Sequence, residues 1–130
     1  LADDGVPSYR FASRPLTERL IGDADLILAL AREHRSRVVS LVPAALRRTY
    51  TLKEFARLAS AVPATDLVDV PRTARERLLN LTALAARFRT PVPRGADDVE
   101  DPFGRSLADY RTAYAEIHAA VAAIAQLAQG

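Results

Sequence analysis

The residues best suited to chemistry lie in the segment VEDPFGRS, residues 99–106, an acidic loop that leads into a long helical pattern. Loops held by a rigid scaffold often carry catalytic groups. Pro102 restricts the backbone of Asp101 to extended or turn conformations, which can direct the Asp101 carboxyl group into a cleft. Such an acid, held next to the aromatic ring of Phe103, can donate a proton in a reaction. The alternative is a solvated acidic cluster at residues 97–101.

An acid supplies half of a hydrolytic mechanism, and these residues show no nucleophile to go with it. The 130 residues contain no cysteine, which excludes a thiolate nucleophile and a zinc site built on thiolates. Neither a Gly-x-Ser-x-Gly elbow nor a Gly-x-x-x-x-Gly-Lys phosphate loop is present. The acids lack the Asp-x-Asp-x-Asp-Gly spacing of a calcium loop, and His34 and His118 have no partners at metal-ligand spacing. We therefore expect no metal site.

Length and composition predict one domain spanning residues 1–130. Apolar residues make up 49% and charged residues 26%, which is typical of a soluble globular protein. The net charge is only +2, and basic residues are interleaved with acidic ones, so we expect a solvated surface and no nucleic-acid partner. The chain has no run of 18 apolar residues and no signal peptide, so we expect no membrane partner and a cytoplasmic location.

The first residues of the sequence do not look like the start of a gene product. The 130 residues contain no methionine, and residues 1–7 resemble the last turn of a helix closed by Gly5. We therefore expect the chain to be incomplete at its N-terminus.

The first half of the sequence predicts a strand–helix–strand unit. Thr17 can cap a short helix, and the apolar run at residues 24–30 is typical of a fully buried strand of a parallel sheet, with a buried helical turn as the alternative. Residues 31–42 then follow a helical period with the arginines facing water, and Pro43 ends that helix. A second strand is predicted at residues 47–50, at a sheet edge because of its charge.

The second half predicts three helices with clear start signals. TLKE at residues 51–54 and TARE at residues 73–76 are capping boxes. Tyr50 and Phe55 have the spacing of a hydrophobic staple across the first of them. Ser106 caps the last helix with Asp109 at the third position. The apolar stripe of this helix is predicted to contain Leu107, Tyr110, Tyr114, Ile117, Val121, Ile124 and Leu127.

Three stretches in this order resemble the bacterial low-molecular-weight protein-tyrosine phosphatases. They are ADLILALAREHR at residues 24–35, RTYTLKEFA at residues 48–56, and DPFG at residues 101–104 followed by a helix carrying Tyr110 or Tyr114. The resemblance extends from about residue 5 to residue 127. It implies an α/β fold with a small four-stranded parallel sheet flanked by helices.

The resemblance also implies a function and a site. Phosphotyrosine would be hydrolysed through a phosphocysteine intermediate, with Asp101 as the catalytic general acid and Phe103 lining the substrate cleft. The implied partner is a phosphotyrosine protein, for which a bacterial tyrosine kinase is one candidate, and no cofactor is needed. The family's N-terminal strands and Cys-x5-Arg phosphate loop have no counterpart here, so these residues alone should be inactive, which leaves open whether the protein is an enzyme.

Two other interpretations remain open at this stage. One is a catalytically inactive, phosphatase-like binding module that takes up a partner's strand beside its incomplete sheet. The other is an unrelated, mostly helical interaction domain in which residues 24–30 form a helix. The sequence does not set the oligomeric state.

Overall fold

The computed structural model describes residues 17–67, 73–100 and 106–129. Within these ranges the fold is a helix-rich α/β fold with two short parallel strands. The helices are α1 (Glu18–Asp23), α2 (Arg32–Leu41), α3 (Leu52–Ala61), α4 (Ala74–Ala85) and α5 (Leu107–Gln129), and the strands are β1 (Ile27–Ala29) and β2 (Thr49–Thr51). Short 3₁₀ segments lie at Pro43–Arg48, Ala64–Leu67 and Ala86–Phe88.

The two strands are linked by a crossover that contains a helix. They pair in parallel in the register Ile27–Thr49, Leu28–Tyr50 and Ala29–Thr51. Because parallel neighbours cannot be joined by a tight turn, α2 and the 3₁₀ segment after it carry the chain back to start β2. The predicted strand–helix–strand unit is confirmed, and the helical interpretation of the apolar run is wrong for Ile27–Ala29.

Strand β1 is shorter and more open than predicted. Residues 24–30 were expected to be fully buried, yet Leu28 is 38% exposed and Leu30 is 43% exposed. In the described parts of the chain β1 has β2 on one side only. The prediction of full burial is therefore wrong for Leu28 and Leu30 within the residues that the structure describes.

Strand β2 is buried rather than a charged edge. It begins at Thr49, two residues later than predicted, and all three of its residues are buried. The two arginines that suggested an exposed strand, Arg47 and Arg48, belong to the preceding 3₁₀ segment. There Arg48 donates hydrogen bonds to the carbonyl oxygens of Ala24 and Ile21, which ties the end of α1 to this segment.

The predicted helix starts are confirmed by their hydrogen bonds. The Thr17 hydroxyl accepts from the backbone N–H of Leu20 at the start of α1. At α3 the capping box is complete, because Thr51 and Glu54 each accept a backbone N–H of the other at 3.0 Å. At α4 the Thr73 hydroxyl accepts from the backbone N–H of residue 76 at 3.1 Å and donates to that residue's carboxylate.

The core consists of two clusters on the two faces of the sheet. One joins β2 to α3 and α4, and its buried members are Tyr50, Phe55, Leu58, Ala59, Val62, Leu81 and Ala85. Tyr50 and Phe55 make the predicted staple, with ring centroids 5.0 Å apart. The other cluster contains Ile21, Val38 and Ala45, with Ile27 packed against it. Ile27 pairs with Thr49, the residue before Tyr50, and successive strand residues point to opposite faces, so Ile27 and Tyr50 belong to different clusters.

The predicted apolar stripe of helix α5 is confirmed only in part. Its cap is as expected, since the Ser106 hydroxyl accepts from the backbone N–H of Asp109. Its buried residues are Ala113, Ala120 and Ala128, and it contacts α3 and α4. Of the seven larger residues in the predicted stripe, four are exposed and Ile117 is half-buried. The exposed ones are Leu107, Tyr110, Tyr114 and Val121, while Ile124 and Leu127 pack against the core.

No helix in the described ranges has both the length and the hydropathy needed to cross a bilayer.

Candidate functional site

The carboxyl ends of β1 and β2 form the edge around which the polar contacts gather. Helix α2 begins three residues after β1 ends, and α3 begins directly after β2. Both helices therefore start at the same edge of the sheet. Helix N-termini carry a partial positive charge and unpaired N–H groups, so this edge favours carboxylates or other anions.

The described acidic residues that lead to Asp101 are residues 97–100, and this range is called the acidic loop from here on. It is bound to this edge on both sides. Next to β1, the backbone N–H of Val99 donates to the carbonyl oxygen of Leu30 at 2.8 Å. Next to β2, the Thr51 hydroxyl donates to the carbonyl oxygen of Asp97 at 2.7 Å. Val99 and Asp97 are both buried. The loop is thus packed against both strands immediately before Asp101.

Asp98 provides the cap that α2 lacks in its own sequence. The residue at the N-cap position, Ala31, has no side-chain oxygen and makes no side-chain cap bond. The carboxylate of Asp98 accepts the backbone N–H of Arg32 at 2.8 Å instead, from 66 residues further along the chain. This charge also lies at the favourable end of the α2 dipole. The acidic loop and α2 therefore stabilise one another.

Asp97 is held by an arginine from α3. The Arg57 guanidinium donates to both carboxylate oxygens of Asp97, at 3.2 Å and 2.8 Å. This two-bond geometry is the strongest form of an arginine–carboxylate contact. The hydrogen bond with Asp97 raises the pKa of Arg57, and the negative charges of Asp97 and Glu54 add to this against the effect of burial.

Lys53 connects the acidic loop to α5. Its ammonium group donates to the carbonyl oxygen of Asp98 at 3.4 Å and to the Glu116 carboxylate at 3.0 Å. Both side chains are partly exposed, so the ion pair with Glu116 contributes little stability by itself. Its effect is positional, because one side chain contacts both the loop and the C-terminal helix.

Behind the loop lies a buried cluster of charges around Glu54. Arg35 donates to both Glu54 oxygens at 2.8 Å, and Nε of Arg89 lies 3.7 Å from the same carboxylate. The predicted placement of Arg35 in water is wrong, since its side chain is only 21% exposed. One carboxylate thus compensates two guanidinium groups.

Arg89 is fixed by several contacts. It donates to the carbonyl oxygens of Leu46 and Thr49, and its guanidinium carbon lies 4.3 Å from the centre of the Tyr50 ring. Its Nε is buried without a hydrogen-bond partner. Arg89 therefore joins the end of the α4 segment to the start of β2.

Tyr50 contacts this cluster through Arg89, and its phenol is buried. Its hydroxyl donates to the carbonyl oxygen of Thr82 and lies 3.3 Å from that of Arg47. Burial raises the pKa of Tyr50, and the negative charge of Glu54 acts in the same direction, while the positive charge of Arg89 opposes them. A phenol with these partners is a structural group rather than a proton donor at neutral pH.

The two residues predicted to do chemistry, Asp101 and Phe103, lie outside the described residues. What the structure shows is how the preceding residues are held. The sequence did not predict that Asp98 caps α2. The signal for a cap from elsewhere in the chain is Ala31, which stands where a capping residue is usual.

The described residues contain no group of three or more side chains suited to hold a metal ion. His34 and His118 are exposed on α2 and α5.

No family model, curated protein or solved structure matches this chain significantly. The resemblance to low-molecular-weight phosphatases therefore stays a prediction based on the three sequence stretches.

Proposed function

We propose that this chain is the acid-loop part of a protein-tyrosine phosphatase of the low-molecular-weight type, with Asp101 as the general acid. The observation that carries the proposal is the binding of residues 97–99 at the carboxyl ends of two parallel strands. In open α/β sheets, ligands bind outside the carboxyl ends of the strands. An acid that follows this anchored segment is well suited to act on a ligand bound there.

Two helix N-termini lie at this edge. Helices α2 and α3 both begin here, and helix N-termini attract phosphate. Lys53 and Arg57 lie beside them, and each is paired with a carboxylate, Glu116 and Asp97 respectively. Asp98 and Glu54 already accept N–H groups from these two helix starts. We infer that the substrate phosphate is bound mainly by polypeptide beyond these two helices.

The proposed reaction has two steps. A cysteine thiolate attacks the phosphorus of phosphotyrosine, the bond to the phenolic oxygen breaks, and Asp101 gives its proton to that oxygen. Water then attacks the phosphocysteine while the Asp101 carboxylate takes one of its protons, and the P–S bond breaks, which releases phosphate, returns the thiolate and restores the acid. The 130 residues contain no cysteine, so the proposal requires a thiolate from polypeptide outside them.

The same proposal includes the number of strands in the sheet. The sheet would have four parallel strands, with the additional ones on the open side of β1, where Leu28 and Leu30 are exposed. Phe103 would line the cleft for the phenyl ring, and the substrate would be a phosphotyrosine protein such as a bacterial tyrosine kinase.

The test is hydrolysis of 4-nitrophenyl phosphate by the protein produced from its native gene. We expect Asp101→Asn to lower kcat by about 10²–10⁴-fold, the usual contribution of a general acid. The control is Asp25→Asn, because Asp25 is exposed near the start of β1, at the other end of the sheet. Equal activity of the two variants would show that Asp101 is not the acid.

The second candidate function is a binding module without catalysis. Two observations favour it: the 130 residues contain no cysteine, and in the described ranges β1 has a paired strand on one side only. It predicts no hydrolysis by the native gene product and measurable binding of a partner that depends on Leu28 and Leu30 rather than on Asp101.

A further inference from the structure

We propose that Asp98 is a positioning residue that sets the register of the acidic loop on the sheet edge by capping α2. Its catalytic consequence rests on the proposed function, whereas the positioning itself can be measured without any activity. The proposal assigns a role to a residue that touches neither substrate nor reacting atoms.

Three consecutive residues of the loop bind three different elements. Asp97 contacts Thr51 and Arg57 at the β2–α3 side. Asp98 contacts the first residue of α2, and Val99 contacts the residue after β1. The loop therefore bridges the two strand–helix units, and Asp98 contacts both of them, because its carbonyl oxygen also accepts from Lys53 of α3.

Of these contacts, the one from Asp98 satisfies a helix N–H group that the N-cap residue of α2 cannot bind with its side chain. The first N–H groups of a helix have no partner within the helix, and Ala31 offers none. A carboxylate at this place satisfies a donor and complements the helix dipole. Removing it leaves the Asp97 contacts and the backbone bonds of Asp98 and Val99 in place, but removes the side-chain bond to α2 on the side of the loop that leads to Asp101.

Amide hydrogen exchange measures this directly in the protein produced from its native gene. In Asp98→Ala, the amides of Arg32 and Val99 should exchange about 5- to 30-fold faster, which matches the loss of one helix cap. The matched control is Thr73→Ala, which removes the cap of α4 away from the loop. It should leave the Val99 amide unchanged. Equal acceleration of Val99 in both variants, or in neither, would overturn the proposal.

Rescue by a conservative change separates capping from general charge. Asparagine caps helices about as well as aspartate, so Asp98→Asn should keep the protection of Arg32 and Val99 within about 2-fold of the parent protein. If Asp98→Asn loosens the loop as much as Asp98→Ala does, the cap is not what holds it.

Kinetics then test the consequence for catalysis. A displaced proton donor slows a substrate with a poor leaving group most. Asp98→Ala should therefore lose more kcat on phenyl phosphate than on 4-nitrophenyl phosphate, whereas Thr73→Ala should lose neither. Equal losses on both substrates would overturn the catalytic consequence. Failure of the proposed function would be seen separately, as an Asp101→Asn variant with unchanged kcat.

Discussion

Replacing Glu54 with glutamine removes one negative charge from a buried site that holds two positive ones. The Glu54 side chain is 7% exposed, and Arg35 and Arg89 lie beside it with 21% and 24% exposure. Glutamine keeps one oxygen for the Thr51 N–H but presents an amide N–H₂ group toward the guanidinium groups. The substitution therefore leaves two positive charges without compensation and adds a repulsive contact.

The size of the effect follows from the burial. Removing one partner of a fully buried ion pair costs about 3–5 kcal/mol. Both arginines keep some contact with water, so we expect the lower end, about 3 kcal/mol. With a urea dependence of about 2 kcal/mol per molar, the unfolding midpoint should fall by about 1.5 M. Equilibrium unfolding in urea, followed by circular dichroism, measures this shift.

Glu76→Gln is the matched control. Glu76 holds the same third position of a threonine-capped helix, but it is exposed on α4. Its loss should change the free energy of unfolding by no more than about 0.5 kcal/mol. If Glu54→Gln and Glu76→Gln have the same midpoint, the Glu54 cluster does not hold α2, α3 and the Arg89 segment together, and the reasoning is refuted.

Three further predictions concern single side chains. Burial raises the pKa of Tyr50 above its usual 10.0. The stability that the neutral phenol contributes is therefore complete below about pH 10 and is lost as pH rises through the raised pKa. Tyr50→Phe should flatten the fall in thermal unfolding temperature above pH 10, and Tyr114→Phe should not. Asp97→Asn should cost about 1 kcal/mol in urea unfolding, because Arg57 is 38% exposed and water replaces part of the contact; a change within error would contradict this. Tyr114→Ala should stay within about 0.5 kcal/mol of the parent, since that side chain is 71% exposed, and a larger loss would show that this face of α5 is covered.

The features that the sequence predicts well are local ones. A threonine followed three residues later by glutamate supplies its own hydrogen bonds, so the start of α3 follows from four residues. Pro43 likewise ends α2 because its ring and missing N–H oppose a further turn. The parallel strand pair followed from the apolar run and the helix after it.

The features that the sequence did not predict depend on contacts between distant residues. Helical spacing shows that α5 has apolar residues on adjacent stripes, but it does not show that alanines of this helix are buried while Tyr110 and Tyr114 are exposed. The partnership of Asp98 with α2 spans 66 residues, and that of Arg35 with Glu54 spans 19. Charge alone placed Arg35 in water, because its partner could not be seen from spacing.

We propose that these residues carry the acid of a phosphocysteine mechanism. Peptide mapping by mass spectrometry tests this on the native gene product, quenched in acid during turnover of 4-nitrophenyl phosphate. We expect a phosphorylated cysteine outside the 130 residues, and slower release of 4-nitrophenol in Asp101→Asn. A native gene product without any phosphorylated cysteine and without release of 4-nitrophenol would contradict it and favour the binding module.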